Sequence, residues 1–285
     1  MKYALKHQLK KLRWQYRRGQ VSRAYGTETL SRAPIVFGNA IPKSGSHLII
    51  QVLLGLREIG AFVDPGFPPV NRYEDNSKLS QDKIIANLKA MQSGDIGYGY
   101  LGCNEPYRNI LTAPEWATVF IYRDPRDVVV SSVFYISELN PSHDLHNYYN
   151  TQFGSVAERI NAEITGITDP NHPYSGVRKR FEKYMGWLAE SAILSLSFEE
   201  IILERETAFK KLFDYLEARG AKFSVTREDA LAVLRRAIQP KKSGTFRKGK
   251  TGNWREHFTE ANKTLFKETA GDILIDLGYE KDLDW

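Results

Sequence analysis

The sequence predicts an α/β fold: a single domain over residues 34–285, with a central parallel sheet flanked by helices and a P-loop-like strand–loop–helix near its start. Three observations point there. Ile35-Val36-Phe37 opens a short apolar run that breaks at Pro42-Lys43-Ser44-Gly45-Ser46 and resumes as an apolar stretch too long for one strand. Thr118–Tyr122 repeats the pattern, running through Arg123 into Asp124-Pro125, a helix cap followed by proline at the first helical position. Finally, 285 residues at 42% hydrophobic and 26% charged can bury one sizeable α/β core.

The elements follow in order. Leu5, Leu9, Leu12 and Tyr16 recur at three- and four-residue steps among Lys2, Lys6, Lys10, Lys11, Arg13, Arg17 and Arg18, which predicts a basic amphipathic helix over 1–20, docked by that stripe or free to meet a membrane surface or partner. Residues 21–34 read as a connector, so 1–33 stand apart from the domain. Residues 60–80 are rich in Gly, Pro, Asn and Asp and predict a surface loop. A short helix is expected over 81–92, and strands over Ile96–Leu101 and Ala192–Ser197. Helices are expected over 151–166, 176–190, 199–219, 226–238 and 259–278, with Phe181, Tyr184, Met185, Trp187 and Leu188 as core. Residues 139–150 form a polar, aromatic loop containing His143 and His146.

The chemistry concentrates where predicted strands meet helices. A helix's first N–H groups have no partner inside it, so a turn that adds a lysine, two serines and a glycine there can hold a phosphate. Arg123 lies at a strand end, and Ser131 about two helical turns further on, so both can reach one anion; an ion pair to a nearby carboxylate is the plain alternative for Arg123. The lysine precedes the glycine, unlike the loop of nucleoside triphosphatases. The net charge of +6 is clustered, with nine Lys/Arg against one Glu in residues 1–32 and six against one in 241–256. Such runs are solvated faces or contacts to nucleic acid, acidic lipid or an anionic cofactor. One cysteine, Cys103, excludes an internal disulfide. The absence of a long apolar run predicts a soluble, cytoplasmic protein.

Three segments resemble the PAPS-dependent sulfotransferases, where PAPS is 3′-phosphoadenosine 5′-phosphosulfate and PAP is the product left after transfer. Pro42-Lys43-Ser44-Gly45-Ser46 is similar to their 5′-phosphosulfate loop, and Tyr122-Arg123-Asp124-Pro125-Arg126-Asp127-Val128-Val129-Val130-Ser131 to their 3′-phosphate site. Phe246-Arg247-Lys248-Gly249-Lys250-Thr251-Gly252-Asn253-Trp254-Arg255-Glu256-His257-Phe258-Thr259 is similar to the late basic segment that closes over the same phosphate. The resemblance implies that Lys43 stabilises charge on the bridging oxygen, and that Ser44, Gly45 and Ser46, flanked by His47 and Leu48, cradle the 5′-phosphate. It implies that Arg123, Ser131, Phe246, Arg247, Lys248 and Gly249 serve the 3′-phosphate end. Phe198 stands where relatives often have a tyrosine near adenine, and Leu48 where many have tryptophan.

The expected activity is transfer of a sulfuryl group to a hydroxyl, or less readily an amine, of a small or medium-sized acceptor. No metal and no nucleic-acid partner are expected. The acceptor side departs from the family, because the histidine that usually takes the acceptor's proton is missing from Gly99-Tyr100-Leu101-Gly102-Cys103-Asn104-Glu105. Glu105, His47, Tyr100, and His143 or His146 are the replacements considered. A nucleotide or small-molecule kinase and a non-catalytic binder of PAP or polyanions are the rival readings.

Overall fold

The computed structural model describes residues 2–239 and 249–285, with side chains from Lys6 onward. Helix α1 spans Lys2–Tyr25 and α2 Thr27–Arg32, followed by strand β1 (Ile35–Ala40) and helix α3 (Ser46–Gly55). Next come α4 (Gln81–Ala90), β2 (Ile96–Gly99), α5 (Tyr107–Leu111), β3 (Trp116–Tyr122) and α6 (Pro125–Phe134), the last continuing as a π-helical turn over Tyr135–Leu139. Then follow α7 (His146–Gln152), α8 (Val156–Thr165), β4 (Gly166–Ile167), β5 (Tyr174–Ser175), α9 (Val177–Met185) and β6 (Leu194–Ser197). Helices α10 (Phe198–Leu203), α11 (Arg205–Ala218), α12 (Arg227–Ala237) and α13 (Glu260–Asp276) complete the order. The chain divides into two compact units: the described residues of 1–41, 45–122 and 186–240, and those of 42–44, 123–185 and 241–285.

In the first unit the strands lie in the order β2-β1-β3-β6, every pair parallel. Successive side chains of a strand point to opposite faces. Val36 and Ala40, Ala117, Val119 and Ile121, and Leu196 therefore share one face, where they pack with Ile49, Val52 and Leu53 of α3, Phe209, Leu212 and Phe213 of α11, and Leu234 of α12. Phe37 and Phe120, on the opposite face, are buried too, which is why these strands read as continuous apolar runs. This is the α/β fold expected, with four strands in its parallel sheet among the described residues. The predicted helix 199–219 is two helices, since Ser197 and Glu200 form a capping box that starts α10 and Glu204, at φ −123°, interrupts before α11.

The N-terminal segment corrects two expectations. The supposed connector is helical, with α1 running to Tyr25 and α2 filling most of the remainder. The leucine stripe does not dock: Leu9, Leu12 and Tyr16 are exposed, and Trp14 is buried instead against Leu30, Ala61 and Val63, with Val21, Tyr25 and Phe67 packed around it. The indole Nε1 of Trp14 donates to Asp95 Oδ1 at 2.9 Å, and Arg18 pairs with the same carboxylate at 2.7 Å. That buried polar anchor, together with the large indole, sets the rotation of the helix against the competing leucines.

In the second unit Asp124 caps α6, accepting from Arg126 N at 2.9 Å, with Pro125 in the first turn. The Arg126 guanidinium lies over Trp254 at 4.0 Å and Trp285 at 4.4 Å and pairs with Asp124 and Glu280. A second cluster gathers Ile136, Leu145, Tyr149, Ala162 and Ile167.

One buried side chain fastens the end of β1 to the segment after β2. Asn39 Nδ2 donates to Leu101 O, and Leu101 N donates back to Asn39 Oδ1, each at 2.9 Å. Asn39→Ala removes both bonds and leaves a buried amide N–H unpaired. It is expected to cost about 2 kcal/mol in chemical denaturation; a change within experimental error would show that this clamp is dispensable.

Candidate functional site

The loop after β1 is built from unusual backbone. Lys43 has φ +73° and Gly45 φ +98°, both in the left-handed region, so the chain turns sharply before α3 begins at Ser46. Glycine is required at position 45 for a second reason: a Cβ there would lie 2.7 Å from Phe198 Cδ2. Phe198 is buried, packed beneath this turn as the first residue of α10. Ser46 Oγ accepts from the Tyr100 hydroxyl at 3.0 Å. Ser44 is fully buried, and its Oγ has no hydrogen-bond partner among the described residues. A buried hydroxyl without a partner is costly unless a ligand supplies one, so Ser44 suits an anion such as phosphate. His47 is exposed and Leu48 half-buried against the core.

Lys43 Nζ lies 3.7 Å from the centre of the Tyr135 ring, the first residue of the π-helical turn. Its pKa is lowered from 10.5 to about 8, first by burial and then by the charge of Arg123, with Glu163 opposing. Two cations thus stand within electrostatic reach of each other, although Lys43 and Arg123 are 80 residues apart in sequence. Arg123 is held from the other side: its Nη2 donates to Asp127 Oδ2 at 3.0 Å and to Lys250 O at 2.8 Å. The ion-pair alternative for Arg123 is therefore realised, with Asp127 as the carboxylate. Asp127 also accepts from Gly252 N at 2.9 Å and Trp254 N at 2.8 Å, so one buried carboxylate ties the start of α6 to the late basic segment. Burial raises the Asp127 pKa against the opposing pull of Arg123.

Ser131 lies half-buried on α6, and Gly249, at φ +60°, begins the described part of the late segment. Phe246, Arg247 and Lys248 lie outside the described residues.

Among the sequence candidates for a base, Glu105 is exposed, close enough to Cys103 to raise its pKa slightly after burial and Glu190. Tyr100 is engaged with Ser46. The two histidines belong to the same unit as Lys43. His143 packs edge-on to Tyr135 at 5.9 Å, with its Nδ1 accepting from Leu145 N; burial lowers its pKa. His146 Nδ1 contacts Ile136 O at 2.8 Å. A carbonyl only accepts, so that nitrogen carries a proton, and Nε2 lies 3.4 Å from the Asn150 side-chain amide.

Sequence reasoning missed Asp127, Tyr135 and Glu163. Glu163 is fully buried, accepts from the Tyr149 hydroxyl at 2.7 Å and pairs with Arg180 at 2.6 Å. Burial and then the Glu163 charge push the Tyr149 phenol upward, and Tyr174 to about 12. A carboxylate between Ile160 and Ile164 on one helix face was the available signal. Among the described residues no group of three or more His, Cys, Asp or Glu is placed to hold a metal ion.

Known proteins converge on one family. The Sulfotransferase domain family matches residues 107–278. Sulfotransferase 2A6 of Mus musculus is 21% identical over 260 residues, covering 82% of each chain. The 3-alpha-hydroxysteroid sulfotransferase of Cavia porcellus is 23% identical over 165 residues, 52% of each chain. Among solved structures, mouse sulfotransferase SULT7A1 complexed with PAP superposes with a TM-score of 0.62 at 16% identity, covering 87% of this chain and 88% of that one. Retinol dehydratase in complex with retinol and PAP gives 0.54 at 16% identity, covering 86% and 84%. At these identities the structures speak for the fold.

The lowered Lys43 pKa has a measurable consequence without any ligand. Between about pH 8 and 10.5 the unfolded chain keeps a proton that the folded chain has released, so this residue makes stability climb as pH rises through that window. Below about 8 the charged amine is a constant cost. Lys43→Met is expected to raise the thermal midpoint at pH 7 by a few degrees, on the order of 2–5 °C, and to flatten the rise above pH 8; a lowered midpoint at pH 7 would contradict it.

Proposed function

The chain belongs to the sulfotransferase domain family, and on that premise we propose that it transfers a sulfuryl group from PAPS to a hydroxyl of a small or medium-sized acceptor, releasing PAP. The observation that supports this most is the convergence of two cations, Lys43 and Arg123, with the unpartnered buried hydroxyl of Ser44. Two like charges in reach of one another are unfavourable alone and become favourable around an anion.

Ser44, Gly45 and Ser46 take the 5′-phosphate at the start of α3, where backbone N–H groups favour negative charge. Arg123 and Ser131 take the 3′-phosphate, together with Gly249 and with Arg247 and Lys248, which lie outside the described residues. Asp127 positions Arg123 and the backbone of Gly252 and Trp254. The acceptor oxygen attacks sulfur, the bond from sulfur to the bridging oxygen breaks, and that oxygen leaves on the 5′-phosphate of PAP. Lys43 neutralises the charge growing there, a task of electrostatics and position. The acceptor's proton goes to a base. His146 has the tautomer for that role, since its Nδ1–H is committed to Ile136 O, and Glu105, His47, Tyr100 and His143 are the other groups to be compared. Curated relatives and solved neighbours that carry steroid or retinoid names make apolar alcohols the first acceptors to try.

The test is incubation with radiolabelled PAPS and a panel of phenols, alcohols and amines, without added metal. Label is expected on at least one hydroxyl acceptor, turnover is expected to fall by about 10²-fold or more in Lys43→Ala, and His146→Gln is expected to lower turnover while leaving PAP affinity unchanged. Transfer from ATP with magnesium instead would make it a kinase, and PAP binding with no turnover across the panel would make it a binding protein.

A further inference from the structure

Helix α1 partitions its charges. On its inner side Trp14 is buried, Lys6 and Lys10 pair with Glu74 at 3.0 and 2.5 Å, Arg17 with Asp64 at 3.4 Å and Arg18 with Asp95 at 2.7 Å. The outer side is the reverse. Leu9, Leu12 and Tyr16, at helical steps of three and four, are 47%, 62% and 64% exposed. Beside them Arg13 and Arg23 are exposed and have no ion-pair partner among the described residues, and the first acidic residue of the chain is Glu28. A helix whose solvent face joins a leucine–tyrosine stripe to unneutralised cations, while its other face is bolted to the protein, has the form of an interfacial helix.

We propose that α1 docks this protein on a membrane surface carrying anionic headgroups, with Leu9, Leu12 and Tyr16 entering the headgroup boundary and Arg13 and Arg23 contacting the lipid anions. Charge complementarity selects this occupant. A second copy would bring the same cations face to face, so self-association through this stripe meets like-charge repulsion. A polyanion without an apolar phase gives the leucines nothing to bury against. No helix among the described residues is long and apolar enough to cross a membrane, so the contact is peripheral. It is reversible and salt-sensitive, because surface charges are screened within about 8 Å at physiological ionic strength. The proposal is independent of the sulfuryl-transfer reading.

The experiment is flotation of the full chain with phosphatidylcholine vesicles and with vesicles containing about 30% phosphatidylserine, at low salt and at about 0.5 M salt. The protein is expected to float with the anionic vesicles at least about tenfold more than with the neutral ones and to be released by salt. Leu9→Gln with Leu12→Gln, and separately Arg13→Gln with Arg23→Gln, are each expected to reduce binding by about tenfold. Because all four side chains are exposed, circular dichroism and the thermal midpoint should stay at parental values. Several results overturn the proposal: no flotation of the parent, equal flotation on neutral vesicles, or unchanged flotation of the leucine pair, which would mean adsorption by charge alone. A dimer in light scattering that the leucine pair abolishes, with no vesicle binding, would assign the stripe to a second copy.

Discussion

The site depends on an electrostatic tension between Lys43 and Arg123. Each follows a strand of the same parallel sheet, β1 or β3, and those strands are neighbours along their whole paired length. Parallel neighbours end on the same side, so the chain leaves both strands at one edge of the sheet. The cost is visible on Lys43, whose amine is driven down to about 8 by burial and by the adjacent guanidinium.

The surrounding side chains keep that arrangement from relaxing. Tyr135 covers the lysine with its ring, Asp127 holds the arginine, and the same carboxylate accepts from backbone N–H groups of the late basic segment. Arg126, one position before Asp127, is stacked on Trp254 and Trp285 and paired with two carboxylates, so consecutive residues of α6 divide the work. Arg126 anchors the tryptophans of the chain's last third, and Asp127 presents it to Arg123. The π-helical turn that begins at Tyr135 follows α6 directly, so the residue covering Lys43 stands where the helix changes its hydrogen-bond pattern.

Much of this was legible in the residues. Branched apolar runs marked β1 and β3, Asp124-Pro125 marked the start of α6, and the lysine-serine-glycine turn marked the break between β1 and α3, because each is a local preference that the tertiary structure leaves intact. What was not legible is long-range. The leucines of α1 form the better apolar stripe on paper, but Trp14 finds a buried carboxylate 81 residues away in Asp95 and turns the helix over. Likewise Asp127 reads as an ordinary first-turn acid, until Gly252 and Trp254 arrive to donate to it. Glu163 was visible as a carboxylate on an apolar helix face, but its partners Tyr149 and Arg180 lie on two other helices. The missing family histidine was seen as missing, while the tautomer that distinguishes His146 depends on a carbonyl ten residues upstream.

If Lys43 exists to meet an anion, its proton affinity must rise when the anion arrives, and that is the most direct quantity to measure. Calorimetric titration of PAP at pH 8 in buffers of different ionisation enthalpy reports the protons exchanged. With a free-state pKa of about 8, the account predicts uptake of about half a proton per PAP bound, vanishing in Lys43→Met. Binding with no proton uptake, or uptake that survives in the methionine variant, would contradict it.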